Sequence, residues 1–501
     1  MSEVLVRRRA GVLLHPTSLP GPGATGGLGE DAYRFVDFLC DGGFTVWQTL
    51  PLGPADAHGS PYRLQSTYAG DHRLIDARRL ALHDELPRRM DFGAVHDRPL
   101  DAFESFSTHA DAAQTSAFAA FMRRDRKWLL PYGLFELCRR RFGGAPWWEW
   151  PQEHRRPHSQ ALASLLAADK RWFRAVAFRQ YLFELLWSAL KRYANGRGVF
   201  LFGDLPFYLD LNSADVWWEP QLFRLDQQDR PVAVSGVPPD YFNENGQLWG
   251  NPLYDWDALE RSGFDWWVRR FELQLERFDL LRIDHFRALE SFWEVPRDAA
   301  TAKEGRWHQA PGAALLTALR ERLGDVPLVA EDLGLITDEV RELRDRFGLP
   351  GMVVLQFAFD GLPDNPHEPA RHRRNAVVYT GTHDNNTAAG WLAGIDDDTR
   401  RRIEQAFGHS DQRVPQELIE AAYASAAQLA IVPLQDLMGL GADARMNTPG
   451  TTEGNWSWRF SWSDLDPEVA VAARRRAERY ERAPALRSVS QAACGAPAAQ
   501  L

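Results

Sequence analysis

Eight short, mostly apolar runs constrain the fold of this chain more than any other feature. They lie at 11–14, 45–50, 198–202, 280–283, 328–330, 352–357, 376–380 and 430–433, and most are followed by helix-compatible sequence. A strand with one wet face alternates apolar and polar residues, so unbroken apolar runs separated by helical patterns indicate a parallel sheet covered on both faces. Eight such units close into a barrel. The expected fold class is α/β, a (β/α)8 TIM barrel.

The interval between the second and third runs is far too long for one connection. Within it Phe173, Val176, Phe183, Leu186, Trp187, Leu190 and Tyr193 recur at helical spacing before a stop at Asn195-Gly196, and 128–142 reads as another helix before Gly143-Gly144. We therefore expect 1–80 to begin the barrel, 80–170 to form an inserted, mainly helical subdomain, and 171–501 to complete the barrel. A loop insertion is expected at 214–256, rich in Pro, Gly, Asn, Trp and Tyr; long loops of this kind are usually functional. The Ala-, Gly-, Pro- and Gln-rich end from about Ser488 is expected to be loose.

Four runs end on acids: Asp204, Asp284, Glu331 and Asp384. Acids at the ends of several barrel strands are the pattern of a barrel active site. Arg282 and Asp284 are two residues apart on one strand, so their side chains point the same way. The cation is expected to keep Asp284 ionised, as a nucleophile requires, and Asp332 beside Glu331 is expected to raise the Glu331 pKa. That is the division of labour of glycoside cleavage, with Asp384, next to His383, gripping sugar hydroxyls. A lone strand-end carboxylate more often caps a helix, and His with carboxylates at a barrel mouth also binds divalent ions. Spacing alone leaves sugar chemistry and a metal site open.

Lys plus Arg number 58 against 68 Asp plus Glu, a net charge of −10, which repels polyphosphates and argues against nucleic acid as substrate. The three cysteines, Cys40, Cys138 and Cys494, are scattered and form no CxxC pair. They fit a reducing cytoplasm better than a disulfide framework or thiolate zinc site. Arg7-Arg8-Arg9 precedes an apolar stretch, but it stops at His15-Pro16, too short for a signal core or a membrane span. No membrane contact is expected. Tryptophan is abundant at 19 residues, and those beside Gly, Asn and Asp in polar loops suit stacking on sugar rings.

Eleven motifs then carry a resemblance. They are Gly11-Val-Leu-Leu-His-Pro-Thr-Ser-Leu-Pro20, Trp47-Gln-Thr-Leu-Pro-Leu-Gly-Pro54, Ser60-Pro-Tyr62, Ser213-Ala-Asp-Val-Trp217, Gly236-Val-Pro-Pro-Asp-Tyr-Phe242, Gly246-Gln-Leu-Trp-Gly-Asn-Pro-Leu-Tyr-Asp-Trp256, Arg282-Ile-Asp-His-Phe-Arg287, Ala330-Glu-Asp-Leu-Gly334, Thr380-Gly-Thr-His-Asp-Asn385, and Arg445-Met-Asn-Thr-Pro-Gly450 with Glu453-Gly-Asn-Trp-Ser-Trp458. In this order, from about residue 11 to residue 460, they resemble the amylomaltase family, the bacterial 4-α-glucanotransferases or disproportionating enzymes related to the α-amylase clan.

The resemblance implies a barrel with long glucan-binding loops and a retaining double displacement on α-1,4-glucans such as maltooligosaccharides, amylose and glycogen-derived chains. Asp284 matches the nucleophile, Glu331 the general acid/base and Asp384 the acid that favours the distorted transition state. Arg282 would orient Asp284, Asp204 and His383 would line the donor side, and Tyr62 and His285 would bind substrate. The Tyr241-Phe242 pair matches a loop arching over the groove, and with Trp249 and Tyr254 it would hold the acceptor and keep water out. Asn447 matches a loop near the glucan groove. No metal or organic cofactor is implied. Arg63 stands where the family usually has a neutral amide, and Asn386 where an Asp is common, which bears on chain-length preference. Two alternatives are a metal-dependent barrel hydrolase using His15, Asp204, His285 and His383, and a glucan-binding protein without catalysis.

Overall fold

The computed structural model describes residues 3–56, 58–239 and 244–484. Eight parallel strands, β1 Arg9–Leu13, β2 Val46–Gln48, β3 Phe200–Leu205, β4 Leu280–Ile283, β5 Leu328–Ala330, β6 Gly351–Val354, β7 Ala376–Tyr379 and β8 Leu429–Pro433, pair in chain order, and β8 pairs with β1. The ring closes between β5 and β6, where the Ala330 N–H donates to the Pro350 carbonyl at 2.8 Å. This is the expected (β/α)8 barrel.

The strands are buried on both faces, as their unbroken apolar character requires. One cluster that includes Leu13, Val46, Phe202, Leu280, Val329, Met352, Val377 and Ile431 is packed separately from the larger core formed with the helices. The 27-residue helix Lys170–Gly196 buries Phe173, Val176, Phe183, Leu186, Trp187 and Leu190, the stripe its spacing predicts. Its indole Trp187 also meets Phe278, the residue against which β3 is seated. A Cβ on Gly203 would stand 2.4 Å from the Phe278 ring. Gly203→Ala is therefore expected to cost about 1–3 kcal/mol by overpacking, measured by chemical denaturation. An unchanged midpoint would mean that Phe278 moves freely aside.

Two expectations change. β3 runs on to Leu205, past the expected end at 202, because Asp204 stays in the ladder opposite Arg282 on β4. The charged pair satisfies itself across the two strands, so the polar residue does not end the strand. The insertion at 214–256, expected as a loop, contributes the helix Ala214–Trp218 and two strands. Gln247–Pro252, Ala233–Val237, Ser291–Pro296 and Arg306–Gln309 form an antiparallel sheet in that order. These strands are too short and too interrupted by Gly and Pro to show periodicity. Among the described residues no helix is long and apolar enough to cross a membrane.

Candidate active site

The C-terminal ends of β3, β4, β5 and β7 bring the four acids to one mouth. At its centre is Arg282, buried at 5% exposure. Its Nη1 donates to both oxygens of Asp204 at 2.8 and 2.7 Å, and its Nη2 lies 2.9 Å from Asp284 Oδ1 and 4.0 Å from Glu331 Oε2. Asp284 and Glu331 thus flank a single nitrogen. That limits their separation to about the lower edge of the roughly 6.5–9.5 Å spacing of inverting carboxylate pairs.

Backbone geometry holds Glu331 in place. His285 has the left-handed φ of 47°, uncommon for a residue with a side chain. In that conformation its N–H donates to Glu331 Oε2 at 2.7 Å, while the Leu333 N–H donates to Oε1 at 3.1 Å and the Phe286 N–H to the Glu331 carbonyl at 3.0 Å. Asp332 turns the other way, pairing with Arg344 and accepting the Met352 N–H at 2.7 Å. Burial is therefore the main cause that raises the Glu331 pKa, and Asp332, expected to supply it, is a minor one.

The expectation for Asp284 is also corrected. Burial pushes its carboxyl up to about 8 even with Arg282 beside it. The guanidinium is shared: Asp204 takes one nitrogen entirely, and three carboxylates crowd one cation. A charge removed from water is costly unless fully paired. Burial thus raises the pKa of both members of the Asp284–Glu331 pair.

Asp384 is held by the loop after β8. The Asn447 Nδ2 donates to Asp384 Oδ1 at 2.7 Å, the Asn447 N–H donates to the His383 carbonyl at 3.1 Å, and Arg445 Nη2 donates to the Asp384 carbonyl at 2.6 Å. His383 Nε2 lies 3.4 Å from Asp384 Oδ1, and burial pulls the imidazole pKa down. Tyr62 stacks on the His383 ring at 5.1 Å and donates its hydroxyl to Asp204 Oδ2 at 2.6 Å. Beyond Asp284, the His285 ring meets Trp249 edge-on at 4.7 Å and Tyr208 at 6.1 Å. Its Nε2 is buried without a hydrogen-bond partner among the described residues, and burial pulls its pKa down to about 3.

Asp204, Arg282, Asp284, Glu331, Asp384, Tyr62, His383 and Asn447 thus form one connected group, with His285 and Trp249 adjoining it. Tyr254, expected in the acceptor loop, is instead core: it is 2% exposed and its hydroxyl pins the Phe207 carbonyl at 2.7 Å. Tyr241 and Phe242 lie outside the described residues. Arg445, Tyr208 and Trp456 were missed. Trp456 lies 5.9 Å from the Tyr62 ring and 6.0 Å from His383, at a left-handed φ of 61°. The Asn455-Trp456-Ser457-Trp458 motif was its only signal. The metal alternative fares poorly, because among the described residues no three His, Cys, Asp or Glu side chains are grouped to hold an ion.

Comparison with known proteins gives the same picture. The chain is 45% identical over 500 residues to a 4-alpha-glucanotransferase of Thermus thermophilus, covering 95% of this chain and 99% of the relative. It is 41% identical to a chloroplastic/amyloplastic 4-alpha-glucanotransferase of Arabidopsis thaliana, over 92% and 84% of the two chains. The solved structure of the amylomaltase from Streptococcus agalactiae in complex with acarbose superposes with a TM-score of 0.90 at 33% identity, covering 95% of this chain and 100% of that one. A family model described as 4-alpha-glucanotransferase matches residues 14–465, and the chain belongs to that family.

Proposed function

We propose that the protein moves α-1,4-glucan segments from a donor chain to the 4-hydroxyl of an acceptor glucan or glucose, with Asp284, Glu331 and Asp384 as the catalytic acids. The observation that carries this reading is the pairing of Asp284 and Glu331 on one Arg282 nitrogen. A retaining displacement needs one carboxylate and one carboxylic acid at close range. In the first step an Asp284 oxygen bonds to the anomeric carbon, the bond from that carbon to the glycosidic oxygen breaks, and the Glu331 proton passes to the departing oxygen. In the second, Glu331 takes the proton of the acceptor 4-hydroxyl as that oxygen attacks the anomeric carbon and Asp284 leaves. Both steps pass through a positively charged sugar, and Asp384 offsets that charge.

Tyr62, His383, Trp456 and Asp204 wall the donor side. Trp249 and His285 suit the acceptor, since a buried imidazole nitrogen without a partner is completed by a sugar hydroxyl. Holding the acceptor raises its effective concentration far above that of water at the same carbon. The donors are maltooligosaccharides, amylose and glycogen-derived chains. Cys40 and Cys138 are unbonded, which suits a reducing cytoplasm as the place of action.

Incubation with maltotriose tests the reading. Glucose together with oligosaccharides longer than three units is expected. An unchanged ladder would overturn it, and glucose with maltose but no longer product would make the protein a hydrolase. The Asn447–Asp384 hydrogen bond gives a narrower test. Asn447→Ala is expected to lower kcat about tenfold with a smaller change in KM, since about 1–1.5 kcal/mol of orientation is lost from a group used in the transition state. A change confined to KM would assign Asn447 to substrate binding alone.

A further inference from the structure

Asp384 is the least enclosed of the three catalytic acids. Its side chain is 45% exposed, against 27% for Asp284 and 11% for Glu331. Packing alone therefore does not fix its carboxylate, and the loop that carries it, 380–388, needs another support. A cavity of about 30 Å³ lies between this loop and the ends of β1 and β8, lined by Leu13, Pro433, Gln435 and Asp436 on the barrel side and by His383 and Asn386 on the loop side. It has room for about one water, so the loop does not rest on solid core.

The chain that follows β8 supplies the support. Asp436, buried at 2% exposure, holds both ends of the loop. Its Oδ2 accepts the Thr380 hydroxyl at 2.6 Å, just past the end of β7, and its Oδ1 accepts the Ala388 N–H at 2.7 Å, where the helix Ala388–Gly394 begins. The centre of the loop is held by Arg445 on the Asp384 carbonyl and by Asn447 on the His383 carbonyl and the Asp384 carboxylate. Gln435 Nε2 donates to the Ala444 carbonyl at 3.3 Å, which ties the two sets of anchors together. One stretch of chain, 435–447, thus meets the acid loop at its start, its centre and its end.

The chemistry of Asp436 fits this task. A carboxylate is an acceptor with two oxygens, and here each oxygen takes one end of the loop. Its partners are a hydroxyl and an amide, not a cation, and burial pushes its pKa up to about 6. A buried carboxylate without a cation costs stability, so core packing gains nothing from it. What it supplies is a fixed separation between Thr380 and Ala388.

We propose that Asp436 is a positioning residue for glucan transfer: by clamping both ends of the 380–388 loop it sets where the Asp384 carboxylate and the His383 ring meet the sugar. The proposal rests on the reading of Asp384 as a catalytic acid. Asp436→Ala is expected to lower kcat for maltotriose disproportionation roughly ten- to hundredfold with KM within about threefold of the parent, the scale of displacing a transition-state group by about 1 Å. Rates are referred to folded enzyme, counted by chemical denaturation. Asp436→Asn keeps an oxygen for the Ala388 N–H and an amide that donates to the Thr380 hydroxyl oxygen, and it is expected to restore most of the loss. In an Asp384→Asn background, Asp436→Ala is expected to change the remaining rate less than about twofold, because it acts through a group already altered. A parent-like kcat in folded Asp436→Ala, a loss confined to KM, or an undiminished further loss in the Asp384→Asn background would overturn the proposal. If Asp436→Ala does not fold, Thr380→Val decides, since it removes one of the two bonds and keeps the side-chain shape: a kcat lowered roughly three- to tenfold, the worth of one hydrogen bond, supports the clamp, and an unchanged kcat removes it. An Asp384→Asn enzyme with the parent's kcat would sink the reading of Asp384 and the proposal with it, whereas a loss in Asp384→Asn without one in Asp436→Ala would sink the proposal alone.

Discussion

Asp284→Asn is expected to lower glucan transfer by at least roughly 10⁴-fold, the scale of losing a covalent nucleophile, while making the protein more stable at neutral pH. The two effects have one origin. Asp284 must be ionised to attack, yet it shares the Arg282 guanidinium with Asp204 and sits close to Glu331. Burial pushes its pKa up to about 8, against about 4 in an unfolded chain. Between those values the folded state binds more protons than the unfolded one, so stability falls as pH rises through that window. Below it, the cost vanishes. Asparagine carries no charge and escapes the cost, giving about 1–3 kcal/mol at pH 7.5 after allowance for a side chain that is 27% exposed. Chemical denaturation of both proteins at pH 4 and pH 7.5 reads the difference. A variant less stable than the parent at pH 7.5, or one that still transfers, would remove Asp284 from this role.

Glu331→Gln is expected to slow transfer from maltotriose about 10²–10⁴-fold, the usual worth of a general acid, but to spare the first step on a donor that needs no proton. An α-maltosyl fluoride has such a leaving group. The variant should release a burst of fluoride equal to the enzyme concentration, then stall, because the acceptor hydroxyl has lost its base. Asp284→Asn should release none. Glutamine keeps one oxygen to accept the His285 or the Leu333 N–H, while its amide nitrogen cannot accept the other, so one of the two bonds is lost. Equal losses on maltotriose and on the fluoride would mean that Glu331 is not the proton donor.

The barrel was legible because buried parallel strands need continuous apolar runs, and 280–283 and 328–330 coincide with β4 and β5. The acids were legible because polar residues following such runs emerge at a barrel mouth. Direction was not. Glu331 and Asp332 are neighbours in sequence, and only the packing of Arg344 and the Met352 N–H shows that Asp332 turns away. Tyr254 and Trp249 lie in one aromatic motif, yet the first fills the core and the second meets His285. Strand pairing within 214–256 also stayed hidden, since the partners Ser291–Pro296 and Arg306–Gln309 are distant in sequence.

By itself the sequence determined the barrel, the acids at its mouth and the motifs that carry the family resemblance, because these depend on local pattern and residue order. Tertiary structure alone decided the charge state of the site. A pKa depends on what surrounds a carboxyl in three dimensions, and here one buried guanidinium is divided among Asp204, Asp284 and Glu331. Sequence suggested a cation that keeps Asp284 ionised; packing shows a cation too few for its acids, and burial that raises the pKa of Asp284 and of Glu331.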